Sequence, residues 1–125
     1  MEQAQLALEQ HDLVLAEQNF REAIQLDPNN PKAIAGLGWT YHIALEKMLA
    51  AQSFERCLQI DKQNVECMRG RASVALAQQE FQVAEHWLKK AYAINADEPE
   101  LQLSMALLEL SQGEHEVALL SLEAM

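Results

Sequence analysis

Proline occurs only at 28, 31 and 99, and glycine only at 36, 38, 70 and 113, so little in this 125-residue chain interrupts a helix. β-alternating runs are absent, and no stretch approaches the ~20 apolar residues that a membrane span needs. Basic residues are scarce: nine Lys and Arg against nineteen Asp and Glu give a formal charge of −10. Such a surface repels phosphate backbones and anionic lipid, which excludes nucleic acid and membrane insertion as expected functions. Only two cysteines occur, Cys57 and Cys67. Their spacing fits neither a zinc site nor a disulfide scaffold, and both fall in apolar periodic stretches where a thiol acts as a small hydrophobe. A bridge between them is possible but not indicated. The opening MEQAQLALEQHD carries acids and glutamines where a signal peptide has basic residues and an apolar run. The expected compartment is the cytoplasm, or the periplasm or a membrane-anchored setting for a piece of a longer protein.

What the chain does have is apolar residues at three- and four-residue intervals, as in Phe20, Ala23, Ile24 and Phe54, Cys57, Leu58. That period is helical. Breaks are expected at DPNNP (27–31), DKQN (61–64) and NADEP (95–99), and their spacing reveals a register of 34 residues. Ala16, Ala50, Ala84 and Ala118 form one column, and Phe20, Phe54, Leu88 and Leu122 the next. Small residues align at Ala4, Gly38, Ala72 and Ala106. Leu26, Ile60 and Ile94 precede Asp27, Asp61 and Asn95. Asp12, Glu46, Glu80 and Glu114 are all acidic, as suits the start of a second helix facing the macrodipole.

These columns resemble the tetratricopeptide (TPR) family, whose 34-residue unit is a helix–turn–helix. The clearest match is Ile34-x2-Leu37-Gly38-x2-Tyr41 followed by Ala50-x3-Phe54, with Ile34 where the family usually has tryptophan. Pro28 fits the closing proline, which Lys62 and Ala96 replace in later rows. The resemblance implies an all-α, right-handed α-solenoid of TPR repeats, a single domain over 1–125. Its units span about 1–30, 31–64, 65–98 and 99–125, the last incomplete. It explains Gly38, whose column lets the two helices of a unit approach. Gly36 and Gly70 form another aligned pair, but Glu2 shares their register, so their role stays open.

Candidates for chemistry are few. His11, His42, His86 and His115 share no metal-ligand spacing, no Gly-rich phosphate loop is present, and no Ser or Cys sits in a nucleophile elbow. Neither an enzyme, a metal nor a cofactor is expected. Trp87, beside Leu88, reads as a packing residue. Trp39 reads differently, because Ile34, Leu37, Gly38 and Tyr41 make the core stripe of its helix while Ala35, Trp39 and His42 make a second stripe. In the TPR family the first helices of the units line the concave surface. The resemblance therefore implies a peptide-binding groove of Ala35, Trp39, His42, then Arg69, Ser73, Leu76, then Leu103, Leu107, Leu110.

Some TPR domains grip a heat-shock chaperone's C-terminal carboxylate with a clamp of Lys, Asn and Arg. The aligned positions here are Met1, Gln5, Gly36, Glu66 and Gly70, or one unit on Ala35, Trp39, Gly70, Glu100 and Ser104. Neither set grips a carboxylate. Arg71 departs from the family's leucine, so either its stem packs while the guanidinium snorkels or it pairs with an acid on the next helix.

The expected function is a non-enzymatic protein–protein interaction scaffold binding a partner peptide or helix in the concave groove. The alternatives are a self-assembly module and a bacterial envelope or pilus assembly factor. A homodimer through an exposed solenoid end (Leu119, Leu120, Leu122) or through helix exchange is also expected, because the turn at Leu45 lacks the glycine found at Gly113.

Overall fold

The breaks read from the sequence end and start helices as side-chain chemistry requires. The computed structural model describes residues 2–123, and side chains through residue 113. Over these it has α1 (Glu2–Glu9), α2 (Leu13–Leu26), α3 (Pro31–Ile43), α4 (Lys47–Ile60), α5 (Val65–Ala77), α6 (Phe81–Ile94) and α7 (Pro99–Glu123). Asn30 accepts from the amides of Lys32 and Ala33, with Pro31 opening α3, and Asn64 accepts from the amide of Cys67. The acidic column supplies the N-cap residues Asp12, Glu46 and Glu80 of α2, α4 and α6, and Asp12 accepts from the amide of Leu15. Asp27, Asp61 and Asn95 close α2, α4 and α6 by donating to Ala23, Cys57 and Ala91 carbonyls.

The helices pair as α1/α2, α3/α4 and α5/α6, and each second helix packs on the first helix of the next unit. The first helices also touch in succession, α1 on α3, α3 on α5 and α5 on α7, whereas α2, α4 and α6 do not touch one another among the described residues. Close first helices and splayed second helices curve the stack, with α1, α3, α5 and α7 as its inner layer. The fold is a TPR-type α-solenoid.

Its core forms two clusters. Ala4, Ala7, Ala16 and Phe20 fill the first unit, while the larger cluster runs from Ile34 through Phe54, Met68 and Leu88 to Leu101 and Leu108. Leu37 packs against both. Three glycines sit where aromatic rings arrive. A Cβ on Gly36 would enter the Phe20 ring of the preceding unit, one on Gly70 the Phe54 ring, and one on Gly38 would stand 2.8 Å from Phe54 Cε1. Gly36 and Gly70 thus answer the preceding unit's phenylalanine.

The structure decides two points that the sequence left open and describes the fourth unit as one helix. Cys57 and Cys67 are joined by a disulfide, with their Cα atoms 6.3 Å apart across the α4–α5 seam. Arg71 pairs with an acid, but on the preceding helix: its Nε lies 3.1 Å from Glu55 Oε1 of α4. The fourth unit, expected as an incomplete pair, is a single helix. The other units turn at His11, Leu45 and Gln79 with φ of 60°, 64° and 61°, while Gly113, in the same register, has no positive φ and lies inside α7. Glycine permits that turn but does not impose it. Among the described residues α7 packs on α5 and α6. Ala106 is accordingly exposed, whereas Ala4, Gly38 and Ala72 of its column are buried. The side chains of Glu114, Ala118, Leu119, Leu120 and Leu122 lie outside the described residues.

Candidate functional site on the inner layer

The inner layer brings α3, α5 and α7 side by side, and three polar contacts tie them together. Trp39 Nε1 of α3 donates to Glu66 Oε1 of α5 at 3.2 Å. The Arg69 guanidinium of α5 lies 4.9 Å above the Trp39 ring, and its Nε stands 3.8 Å from Glu98 Oε1 just before α7. An arginine over an indole face is attracted by the ring quadrupole, and partial burial strengthens that attraction. The Trp39 ring also meets Phe54 edge-on at 5.0 Å and His42 at 5.9 Å.

Trp39 is therefore half-buried and anchored to the core, with one edge left on the inner surface. His42 is half-buried too, and its Nδ1 is enclosed without a hydrogen-bond partner. Burial, and then the nearby Lys47 ammonium, hold its pKa below the usual histidine value. Ser73 turns its hydroxyl to the Arg69 carbonyl, and Leu76 is half-buried against the core. Leu103, Leu107 and Leu110 are 63%, 48% and 60% exposed along one stripe of α7, while Leu101, Ser104 and Leu108 turn inward.

The expected groove residues thus divide. Ala35 is fully buried and offers no surface, because the seam between successive inner helices closes over so short a side chain. Trp39, His42, Arg69, Ser73 and Leu76 are partly accessible, and the α7 leucines are open. Glu66 and Glu98 were not expected in the site. The register gave Glu66 only as a missing clamp residue, and Glu98 sits in a turn segment; no spacing in the sequence singled out either one. Trp87 has the expected packing role, half-buried against the core with Lys90 Nζ 5.4 Å from its ring centre.

Among the described residues no group of His, Cys, Asp or Glu is placed to hold a metal ion, and no helix is long and apolar enough to cross a membrane. The polar groups of the strip are engaged with one another rather than arranged as a carboxylate clamp. Glu66 donates nothing and accepts from Trp39, and the Arg69 guanidinium is already held between Trp39 and Glu98.

No known family profile and no curated protein matches the chain by sequence. Solved structures match its fold. The first TPR domain of human RPAP3 superposes with a TM-score of 0.84 at 13% identity, covering 92% of this chain and 91% of that one. The TPR2B domain of yeast Sti1, in its pHsp70 complex, gives 0.81 at 14% identity over 90% and 92%. The Yersinia enterocolitica type III secretion chaperone SycD, in complex with a peptide of the translocator YopD, gives 0.77 at 21% identity over 90% and 88%.

Proposed function

We propose that this TPR-fold domain is a non-enzymatic scaffold that binds a partner's peptide or helix along its inner layer. The observation that carries the reading is the open leucine stripe of α7 continuing the Trp39–Arg69 strip. Three open leucines at helical spacing form an exposed apolar stripe, and the partly accessible Trp39 and Arg69 beside them are of the residue types enriched in binding hot spots. Two of the structures named above hold ligands from other proteins, which supports a ligand from a partner protein here. The bound segment is apolar rather than anionic, because Glu66 and Glu98 flank the strip and leave Arg69 no free charge to offer.

The Cys57–Cys67 bridge bears on the compartment. Reducing cytosol disfavours such bonds, so the bridge supports an oxidising setting over the cytoplasmic expectation.

The test compares Leu107→Asp with Trp39→Ala, using peptides selected from a displayed random library on the parent chain. Leu107 is half-exposed, so Leu107→Asp is expected to melt within a few degrees of the parent yet bind the selected peptides at least about tenfold more weakly. Trp39→Ala is expected to lose both binding and stability, since its ring also packs on Phe54. Unchanged binding by a folded Leu107→Asp chain overturns the assignment.

A further inference from the structure

A second apolar surface lies outside the inner layer, at the edge where α3 turns into α4. A groove of about 250 Å³ runs between the first turns of α2 and α4, lined by Leu13, Val14, Ala44, Leu49, Tyr41 and Glu46 among others. Its shoulder continues onto Leu45 and Met48. Val14, Leu45 and Met48 are 70%, 78% and 74% exposed. Leu45 is the turn residue with a φ of 64°, a conformation that bulky side chains rarely adopt. The same turn in the neighbouring units carries the polar residues His11 and Gln79. At 78% exposed, a leucine there buries little of its side chain, so core packing does not account for it.

The repeat register shows what such a groove takes. One unit on, Lys47 of α4 reaches across the equivalent seam and donates from Nζ to the Ala77 carbonyl at the C-terminus of α5, at 3.3 Å. A cation at a helix C-terminus is favoured by the macrodipole. Thirty-four residues earlier, Leu13 stands in place of Lys47 and Ile43 in place of Ala77. Leucine cannot donate, so the Ile43 carbonyl at the C-terminus of α3 receives no lysine from the preceding unit, although Lys47 lies near His42 on the other side of that helix end. Beside it stands the Glu46 carboxylate, which makes no capping hydrogen bond and pairs with no cation among the described residues. Glu17, also in the groove, is already engaged by Arg21 and by the Tyr41 hydroxyl.

We propose that this groove docks a short segment of a partner protein in which a lysine is flanked by apolar residues. The lysine supplies the ammonium that the missing Lys47 equivalent would have provided, lying between Glu46 and the C-terminus of α3. The apolar flanks cover Val14, Leu49, Leu45 and Met48. A second copy of this chain is the weaker occupant, because two surfaces of net charge −10 repel. The docking is independent of the inner-layer ligand, and the two face different sides of α3.

The test is a displayed random-peptide selection on the whole chain carrying Leu107→Asp, so that the inner layer does not compete. Enriched sequences are expected to place a lysine beside two or more apolar residues. A synthetic copy of the best sequence should bind at least tenfold more weakly to Val14→Asp and several-fold more weakly to Glu46→Gln. Both positions lie at the surface, and a melt like the parent's will show that each variant is folded. Its binding to the chain with Leu107 restored should be unchanged. The proposal is overturned by a selection that enriches nothing, by enriched sequences without lysine, or by binding indifferent to Val14→Asp. It is equally overturned by sedimentation showing a dimer that Val14→Asp disperses, which would make a second copy the occupant.

Discussion

The Phe54 ring lies on Gly70 of the next unit, as the Phe20 ring lies on Gly36, and the third seam puts Leu88 and Ser104 in those two registers. Ring and glycine appear together, and the smaller leucine appears with a serine. A methyl at Gly70 gains up to about 1 kcal/mol of helix propensity but meets three ring carbons of a fully buried Phe54. Overpacking of this kind costs about 1–3 kcal/mol, so the steric cost wins and Gly70→Ala is expected to destabilise. Gly70→Ser combined with Phe54→Leu recreates the Leu88–Ser104 pairing. Denaturant melts should find the double variant more stable than the two single costs predict, by at least about 1 kcal/mol. Simple additivity would show that ring and glycine are not coupled. The column of Gly36 and Gly70 was visible in the sequence, but its cause was not, because the ring that imposes it belongs to the preceding unit, sixteen residues upstream. His42 makes a second residue-scale prediction. Its folded pKa is depressed, so below the unfolded value of about 6.5 the unfolded chain takes up a proton that the folded chain refuses. Stability is therefore unaffected above about pH 6.5 and falls as the pH drops through and below it. Melts from pH 7 to pH 5 should show a decline that His42→Gln reduces; an identical decline in both chains would assign it to other groups.

At the scale of elements, helix starts, helix ends and the three long breaks were legible because capping residues and acids recur at fixed offsets. The bridge between α4 and α5 was not, since a spacing of ten says nothing until the helices are packed. The register did hold a clue: Ala23 with Ala33 and Ala91 with Leu101 stand where Cys57 and Cys67 stand, so all three pairs occupy one kind of seam. The unbroken α7 was illegible for the opposite reason. The sequence carries the full turn signal at Gly113 and Glu114, and tertiary contact, which local chemistry cannot supply, decides whether the turn forms. The bridge leads to a prediction. Closing a loop of about ten residues stabilises by roughly 3 kcal/mol if the effect is mainly entropy lost by the unfolded chain. For a domain of this size that corresponds to about 10 °C in melting temperature. Dithiothreitol should lower the melt by that order in the parent and leave Cys57→Ala/Cys67→Ala unmoved. Both sulfurs are fully buried, so reduction should also be slow until the α4–α5 seam opens. A parent melt indifferent to reductant would show that the bridge does not stabilise the fold.

At the scale of the molecule, stability is distributed unevenly along the stack. A solenoid is held by contacts within units and between neighbours, so regions can open separately. The first unit contributes the small cluster of Ala4, Ala7, Ala16 and Phe20, and α1 has only eight residues. It joins the rest through Leu37, through Phe20 on Gly36, and through Tyr41, whose hydroxyl donates to Glu17 and accepts from Arg21. Units two and three share the larger cluster and the disulfide. Native-state hydrogen exchange should therefore find α4 and α5 protected at or near the global free energy, roughly 6–19 kcal/mol for 125 residues, and α1 and α2 opening well below it. Removing a buried phenylalanine costs about 3–5 kcal/mol, but where that loss appears depends on the unit. Phe20→Ala should speed exchange in α1, α2 and the start of α3 while α4 and α5 keep most of their protection. Phe54→Ala, which empties the seam between units two and three, should lower protection everywhere and bring the whole domain near unfolding. If Phe20→Ala instead lowers protection equally in every helix, the stack unfolds as one cooperative body and its two clusters are one.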